Sequence, residues 1–428
     1  KPKNPSYDPE KVCYSPKDYD DTFKGPMTIK QALAESRNIP AVKTLYLTGL
    51  QDSIQTAKDM GVTGLNDPNR YGLTLVIGGG EVSLLDMTSA YGVFANDGVR
   101  NPYRSVLEVY GANGNLLERA STNPSQVIDP EIAREISDIL SDNKIRMSSL
   151  KPIAESVGRQ VAIKTGTTND YRDVWTVGYT ANLAIGAWAG NSDNTPMQHN
   201  VAGMIISPVW GAFVAKVARD FPNETFKTPE PTSKDLKPTL RGIWQGGISY
   251  WKDKISGKVA TEYTPEEQRE EIVFPSVHNI LHWINKDDPT GPAPNNPMED
   301  PQYENWEYGV RNWFVEYQTQ HPNFKEVVAF EIPTTTDDVH LPEKAPRVSV
   351  ITPSDGSAIN PQELLRVQLR SEGAYQPQKT EVYVNGKFVL TANSSPLNFS
   401  FVPADVGNLT ETDNTLSVIV YDNMLNKG

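Results

Sequence analysis

Cysteine is all but missing from these 428 residues: Cys13 is the only one, so no disulfide can close within the chain. Long apolar runs are missing too. No stretch approaches the roughly 20 residues that cross a bilayer, and no signal peptide opens the chain, which starts at Lys1 rather than Met. Clusters of Lys and Arg are also lacking. The formal net charge is −13, with 22 Lys+Arg against 24 Asp+Glu up to Pro222 and 18 against 29 beyond it. An acidic second half without a basic patch argues against nucleic acid and anionic membrane surfaces as partners. The length leaves room for two or three domains with ample core. Two spellings that resemble cofactor sites are incomplete. His278 and His282 have an i, i+4 spacing but no glutamate between them and no third ligand nearby, and Gly78-Gly79-Gly80 lacks the Lys-Ser/Thr of a phosphate loop. No cofactor or metal is expected.

What is present centres on Val161-Ala162-Ile163-Lys164-Thr165-Gly166-Thr167-Thr168, a short apolar, β-forming run that turns polar at Lys164. An ammonium fixed on a strand can hold a substrate carboxylate, and a neighbouring hydroxyl can donate to the same group. A glycine beside them clears the strand for a peptide to lie against it. Val174 to Tyr179 and Leu183 to Ala189 are two more apolar runs joined by short polar turns, which predicts an antiparallel meander with Lys164 near one edge. Lys-Thr-Gly alone is also compatible with a strand end carrying a solvated lysine.

Upstream, Lys1 to Gly25 is rich in Pro, Asp and Tyr and reads as a surface loop. Thr28 to Gln31 fits a capping box, so a short helix should carry Ala32, Leu33 and Ala34 inward and deliver Ser36 and Asn38 at its end. Pro40 should start a second helix to Leu47, and Leu50 to Met60 a third. Helices are expected over Ser83 to Asn96, from Asp129-Pro130 to Ser141, and over Val209 to Val217, with a hairpin around Asn113-Gly114. Farther on, Val277, Ile280, Leu281 and Ile284 stand at helical spacing. Trp306, Val310, Trp313 and Tyr317 form a second stripe, a pattern of core more than of sugar binding. From Arg347 onward short alternating runs take over, with Asn385-Gly386 marking a hairpin.

Three longer segments give Lys-Thr-Gly its context. They are Lys164 through Tyr179, Gly25-Pro26-Met27-Thr28 through Ser36-Arg37-Asn38-Ile39-Pro40-Ala41-Val42-Lys43, and Gly78-Gly79-Gly80-Glu81-Val82-Ser83-Leu84-Leu85-Asp86-Met87 running on to Gly98. Together, and in this order, they resemble the transpeptidase domain of class A penicillin-binding proteins, the bifunctional peptidoglycan synthases. The resemblance implies a role for each polar residue. Ser36 would relay a proton to the leaving amine, Asn38 would hydrogen-bond the substrate amide, and Lys164 with Thr165 would hold the terminal carboxylate. Gly166 would stay clear of the peptide, and the Thr167 N–H would supply half of an oxyanion hole. Asp170, Arg172 and Asp173 fit local turn chemistry as well as support for the site.

The implied reaction also needs Ser-x-x-Lys, with the lysine one helical turn after a serine nucleophile. Ser141 with Lys144, Ser148 with Lys151, and Ser249 with Lys252 match the spelling but not the order of the motifs. Lys151 also precedes Pro152, which disfavours helical geometry there. Ser-x-Asn recurs at Ser121, Ser141 and Ser192, none of them in a matching segment. The nucleophile is therefore expected upstream of Lys1. The chain is expected to be the larger, C-terminal part of such a protein, inactive alone, with a membrane anchor, a glycosyltransferase domain and the start of the transpeptidase domain outside it.

The expected architecture is multidomain. An α/β, β-lactamase-like transpeptidase with an antiparallel sheet spans 1–222, an acidic Pro-rich mixed linker with short helices 223–344, and an immunoglobulin- or fibronectin-like β-sandwich, one strand short, 345–428. Implied partners are peptidoglycan stem peptides, lipid-linked glycan strands and β-lactams, at the extracytoplasmic face of the bacterial plasma membrane, with the membrane reached only through the missing anchor. Two alternatives stay open: a carboxypeptidase or β-lactamase-type serine hydrolase, and a non-catalytic wall-binding module for the second half.

Overall fold

A computed structural model describes residues 15–121, 123–197, 202–327 and 329–428; Cys13 lies outside the described residues. The chain divides into two compact units, residues 1–247 with 277–325 and residues 248–276 with 326–428. The stretch 223–344, set apart by composition, is thus shared between both units rather than forming a body of its own. Its apolar side chains account for this. Val277, Val310 and Phe314 are buried in the first unit with Trp244, Trp313 and Tyr317 packed on them, so the aromatic stripe is core, on helix Tyr303–Gln320.

In the first unit, strands Ala162–Thr167, Asp173–Thr180 and Leu183–Gly190 form the expected antiparallel meander, with the Lys164 strand at one edge. Alternation along that strand sends side chains to two different cores. Val161 and Ile163 pack with Ile153, Trp210 and Val214 from helices Lys151–Val157 and Ser207–Val217. Ala162 turns the other way, onto Tyr179 and Leu140, beside helix Pro130–Ser141. Lys164, two residues on, shares the Ala162 side and so faces the helices that carry Ser36.

The upstream helices follow their caps. Thr28 Oγ1 accepts from the Gln31 N–H at 3.0 Å and starts helix Ile29–Ala34. Only half of the expected box forms, because the Gln31 amide donates to Glu35 one turn on. The second helix begins at Asn38, two residues before Pro40, for a reason outside its own sequence. Asp18 Oδ1 accepts from the N–H groups of Asn38 and Ile39, at 2.6 and 3.1 Å, and caps the helix from the preceding loop. That part of the loop is therefore structural, with Asp18 itself buried. A second departure is 277–284, which forms only a three-residue turn, Ile280–His282, capped by the Asn279 side chain. Val277, Leu281 and Ile284 are still buried, but in an irregular segment.

In the second unit, two three-stranded antiparallel sheets face each other, Arg347–Thr352, Leu365–Glu372 and Asn398–Phe401 against Lys387–Ala392, Pro377–Val384 and Leu416–Asp422. Val367, Leu369, Val382, Phe401 and Val420 fill the space between. Asn385 and Gly386, with φ of 50° and 76°, make the tight turn that their sequence predicts. A hairpin of Ser249–Asp253 and Arg269–Val273 belongs to the same unit. Among the described residues, no helix is long and apolar enough to cross a membrane.

Candidate active site

The first helix ends in a Schellman motif. The Arg37 N–H donates to the Ala32 carbonyl at 2.9 Å and the Ser36 N–H to the Leu33 carbonyl at 3.1 Å, which places Ser36 in the left-handed region at φ 57°. Glycine is the default residue there, and a serine costs about 1 kcal/mol. Backbone strain of this kind persists where the surroundings over-determine it. Here they do. Arg37 is buried, salt-bridged to Asp18 at 3.1 Å and Asp20 at 2.7 Å, and its guanidinium also donates to the Thr22 carbonyl. The Arg37 hydrogen bond holds the Asp20 carboxyl well below the usual range.

The Ser36 side chain is aimed at the edge strand. Lys164 Nζ donates to Ser36 Oγ at 2.5 Å and to the Thr165 carbonyl at 2.8 Å. Among the described residues no carboxylate pairs with Lys164. Burial alone pushes its ammonium down to about 8. Ser36, Lys164 and Thr165 line one small cavity with the buried Arg146 and the apolar Leu140 and Met147. Arg146 donates to the carbonyls of Leu140 and Val161, at 3.1 and 3.0 Å, and so ties a helix end to the start of the Lys164 strand.

The sequence-derived site residues come together unevenly. Ser36 and Lys164 touch. Asn38 is not among the residues lining their cavity: its Nδ2 donates to the Lys17 carbonyl at 2.9 Å, while its Oδ1 accepts nothing from the described residues. Gly166 lies opposite Trp175 in the sheet, and a Cβ on it would meet only the Trp175 Cβ, at an ordinary 3.6 Å. The fold itself does not require a glycine there. Thr167 pairs with Val174 at the exposed end of the strand, after which Thr168 and Asp173 close the turn through a 2.8 Å bond from the Asp173 N–H to Thr168 Oγ1. Asp173 also accepts from Trp188 Nε1 at 2.9 Å, and Arg172 pairs with Asp170 at 3.7 Å, so these residues serve the turn.

None of the three Ser-x-x-Lys spellings has the geometry of a nucleophile and base. Ser141 is the last residue of its helix and Lys144 lies beyond it, Lys151 opens the helix that follows Ser148, and Ser249 and Lys252 are on one strand. The rings of His278 and His282 stack at 3.7 Å, with Nδ1 atoms bonded to Glu307 and the Tyr303 hydroxyl. The residues missed from sequence are Asp18, Arg37 and Arg146, which hold Ser36 and Lys164 in place. A buried arginine is hard to foresee, but Arg37 directly after Ser36 and the acidic run Asp18 to Asp21 were a signal.

Lys164 on the edge strand and Ser36 at the end of the first helix are thus joined by a hydrogen bond, with no carboxylate among the described residues paired to the lysine. In comparison with known proteins, residues 2–195 match the penicillin binding protein transpeptidase domain and residues 346–418 a bacterial Ig domain. Residues 2–195 are thus a transpeptidase domain of the penicillin-binding protein family. Curated relatives include penicillin-binding proteins 1A. That of Aquifex aeolicus is 32% identical over 227 residues, covering 53% of this chain and 30% of that protein, and that of Neisseria lactamica is 29% identical over 233 residues, covering 53% and 29%. The chain therefore spans about a third of the length of the curated relatives it matches. Among solved structures, penicillin-binding protein 1A from Haemophilus influenzae superposes with TM-score 0.47 at 19% identity, covering 62% of this chain and 43% of that one.

Two measurements check this geometry. If Ser36 is strained for the sake of its side chain, Ser36→Gly should be more stable than Ser36→Ala by about 1 kcal/mol in urea unfolding. Equal midpoints would contradict the strain. For Lys164, the unfolded chain keeps the ordinary 10.5 while the folded chain titrates near 8, so between those values the unfolded state binds more protons. Stability should then rise with pH across that window, and the advantage of Lys164→Met at pH 7 should fade through it. An advantage independent of pH would contradict a depressed lysine.

Proposed function

We propose that the first unit is the cross-linking part of a bifunctional cell-wall synthase, a D,D-transpeptidase acting on stem peptides that end in D-Ala-D-Ala. The observation that carries this reading is the Lys164–Ser36 hydrogen bond, made by an ammonium that no carboxylate among the described residues pairs with. A serine nucleophile attacks the carbonyl between the two D-Ala residues, an ester bond forms, and the C–N bond breaks. Ser36, bonded to Lys164, passes a proton to the departing D-Ala amine. An amine of a neighbouring stem peptide then attacks the ester and restores the serine.

Lys164 and Thr165 hold the terminal carboxylate of the peptide, and the same contact takes the carboxylate of a β-lactam. An edge strand offers unpaired backbone groups to an extended peptide, and Gly166 keeps that side clear. Asn38 Oδ1 accepts from the substrate amide, and the Thr167 N–H faces the developing oxyanion. The wider protein acts on peptidoglycan stem peptides and lipid-linked glycan strands at the extracytoplasmic face of the bacterial plasma membrane. The serine nucleophile is not among residues 1–428, since no Ser-x-x-Lys here forms a helical pair. We assign 1–222 to the transpeptidase part and 345–428 to the sandwich, with 223–344 as accessory segments.

Fluorescent penicillin tests the proposal. The 428-residue chain should take no covalent label, whereas a chain extended upstream through a Ser-x-x-Lys should be labelled, and Ser36→Ala in that longer chain should slow labelling on the order of 100-fold. Label on the shorter chain, or an undiminished rate in Ser36→Ala, would refute it.

A further inference from the structure

Away from Lys164, a polar cluster in the second unit is closed off from solvent. Asp253, at the end of its strand, and Asp337 and His340, on the segment leading into the sandwich, are 0, 1 and 2% exposed. One carboxylate or imidazole atom from each lies within 4.8 Å of the other two.

The surrounding hydrogen bonds decide which atoms face inward. His340 Nε2 lies 2.8 Å from the Met424 carbonyl oxygen, and a carbonyl only accepts, so Nε2 carries a proton. Nδ1 is thereby turned to the carboxylates, 2.6 Å from Asp337 Oδ2 and 3.8 Å from Asp253 Oδ1. Each carboxylate is steadied from outside. Asp253 Oδ2 accepts from the Ser256 N–H, Asp337 Oδ1 from the Val339 N–H at 2.8 Å, and Asp337 Oδ2 from the Thr264 hydroxyl at 2.6 Å. Asp253 Oδ1, fully buried, has no hydrogen-bond partner among the described residues. A buried carboxylate oxygen left alone is costly, and two carboxylates facing one ring leave negative charge uncompensated. An imidazole whose far nitrogen donates to a backbone carbonyl while the near one faces carboxylates has the outer-shell support of a metal-ligating histidine.

We propose that Asp253, Asp337 and His340 bind a divalent transition-metal cation of the zinc type. An imidazole with two carboxylates suits zinc, whereas Ca²⁺ and Mg²⁺ take oxygen ligands. The cation displaces the proton between His340 Nδ1 and Asp337 Oδ2 to solvent and gives Asp253 Oδ1 its missing partner. With about 2.1 Å to each ligand, neighbouring ligand atoms stand roughly 3.3 Å apart. Asp253 Oδ1 closes in from 3.8 Å and Asp337 Oδ2 opens from 2.6 Å, both shifts below about 1 Å. One water completes the tetrahedron. The site joins the Ser249–Asp253 hairpin, the 337–340 segment and, through Met424, the turn after the last strand. Because its ligands are inaccessible in the folded unit, the cation enters as the unit folds.

The test refolds the full chain from denaturant with zinc sulfate or with a chelator, followed by dialysis, elemental analysis and thermal unfolding. Expected are one retained zinc per chain and a higher Tm than after chelator refolding, with neither Ca²⁺ nor Mg²⁺ able to replace zinc. Asp253→Asn, nearly unchanged in shape, should lose the zinc. Equal Tm values with no retained zinc would overturn the proposal and leave a shared proton in the cluster. Undiminished zinc in Asp253→Asn would overturn it too, by placing the metal elsewhere. Should that variant not fold, refolding the unmutated chain with Co²⁺ decides: ligand-field absorption characteristic of a low-coordinate protein site supports the assignment, and its absence overturns it.

Discussion

The half-buried Lys164, whose ammonium bonds only a hydroxyl and a backbone carbonyl among the described residues, is the constraint on which the first unit turns. Taking a cation out of water without a counter-charge costs several kcal/mol in general, and burial shows here as a lysine pushed down to about 8. No carboxylate among the described residues relieves that cost. The site carries other costs of the same kind: Ser36 sits where glycine would rest more easily, and the strand keeps an open edge. Each makes sense if the missing partner is a substrate that brings a carboxylate and an extended backbone.

Such costs are sustained by what surrounds them. Strand alternation gives Ile163 to one core and Ala162 to another, which fixes the side on which Lys164 emerges. The Schellman turn fixes Ser36, and the buried Arg37 with Asp18 locks the turn to the start of the next helix. Arg146 reaches from behind to the carbonyls at the root of the same strand. Serine and lysine lie 128 positions apart in the chain, yet each is set by short-range rules acting on its own element, and the sheet and helix packing bring the two rules together.

Much of this was visible in the residues. Alternation and turn chemistry marked the meander, and caps such as Thr28, Ser83 and Asp129 marked helix starts, because these signals are local. The aromatic stripe of helix Tyr303–Gln320 gave its core role away by its spacing. What stayed hidden is non-local. The cap on Asn38 comes from Asp18, twenty positions earlier, so Pro40 misled the start of that helix. Spacing alone made 277–284 look helical, but the Asn279 side chain accepts from the Leu281 N–H and starts a turn of only three residues, Ile280–His282. The charge-rich middle of the chain looked like one linker because composition does not reveal which core each apolar residue joins.

The central claim is that Lys164 and its neighbours await a carboxylate. A crystal structure of an upstream-extended chain acylated by penicillin tests it most directly. The account predicts the β-lactam carboxylate within about 3 Å of Thr165 and in contact with Lys164, with the Ser36 hydroxyl beside the reacting centre. An acyl group whose carboxylate points to solvent or to another cation, with Lys164 still turned to Ser36 alone, would contradict it.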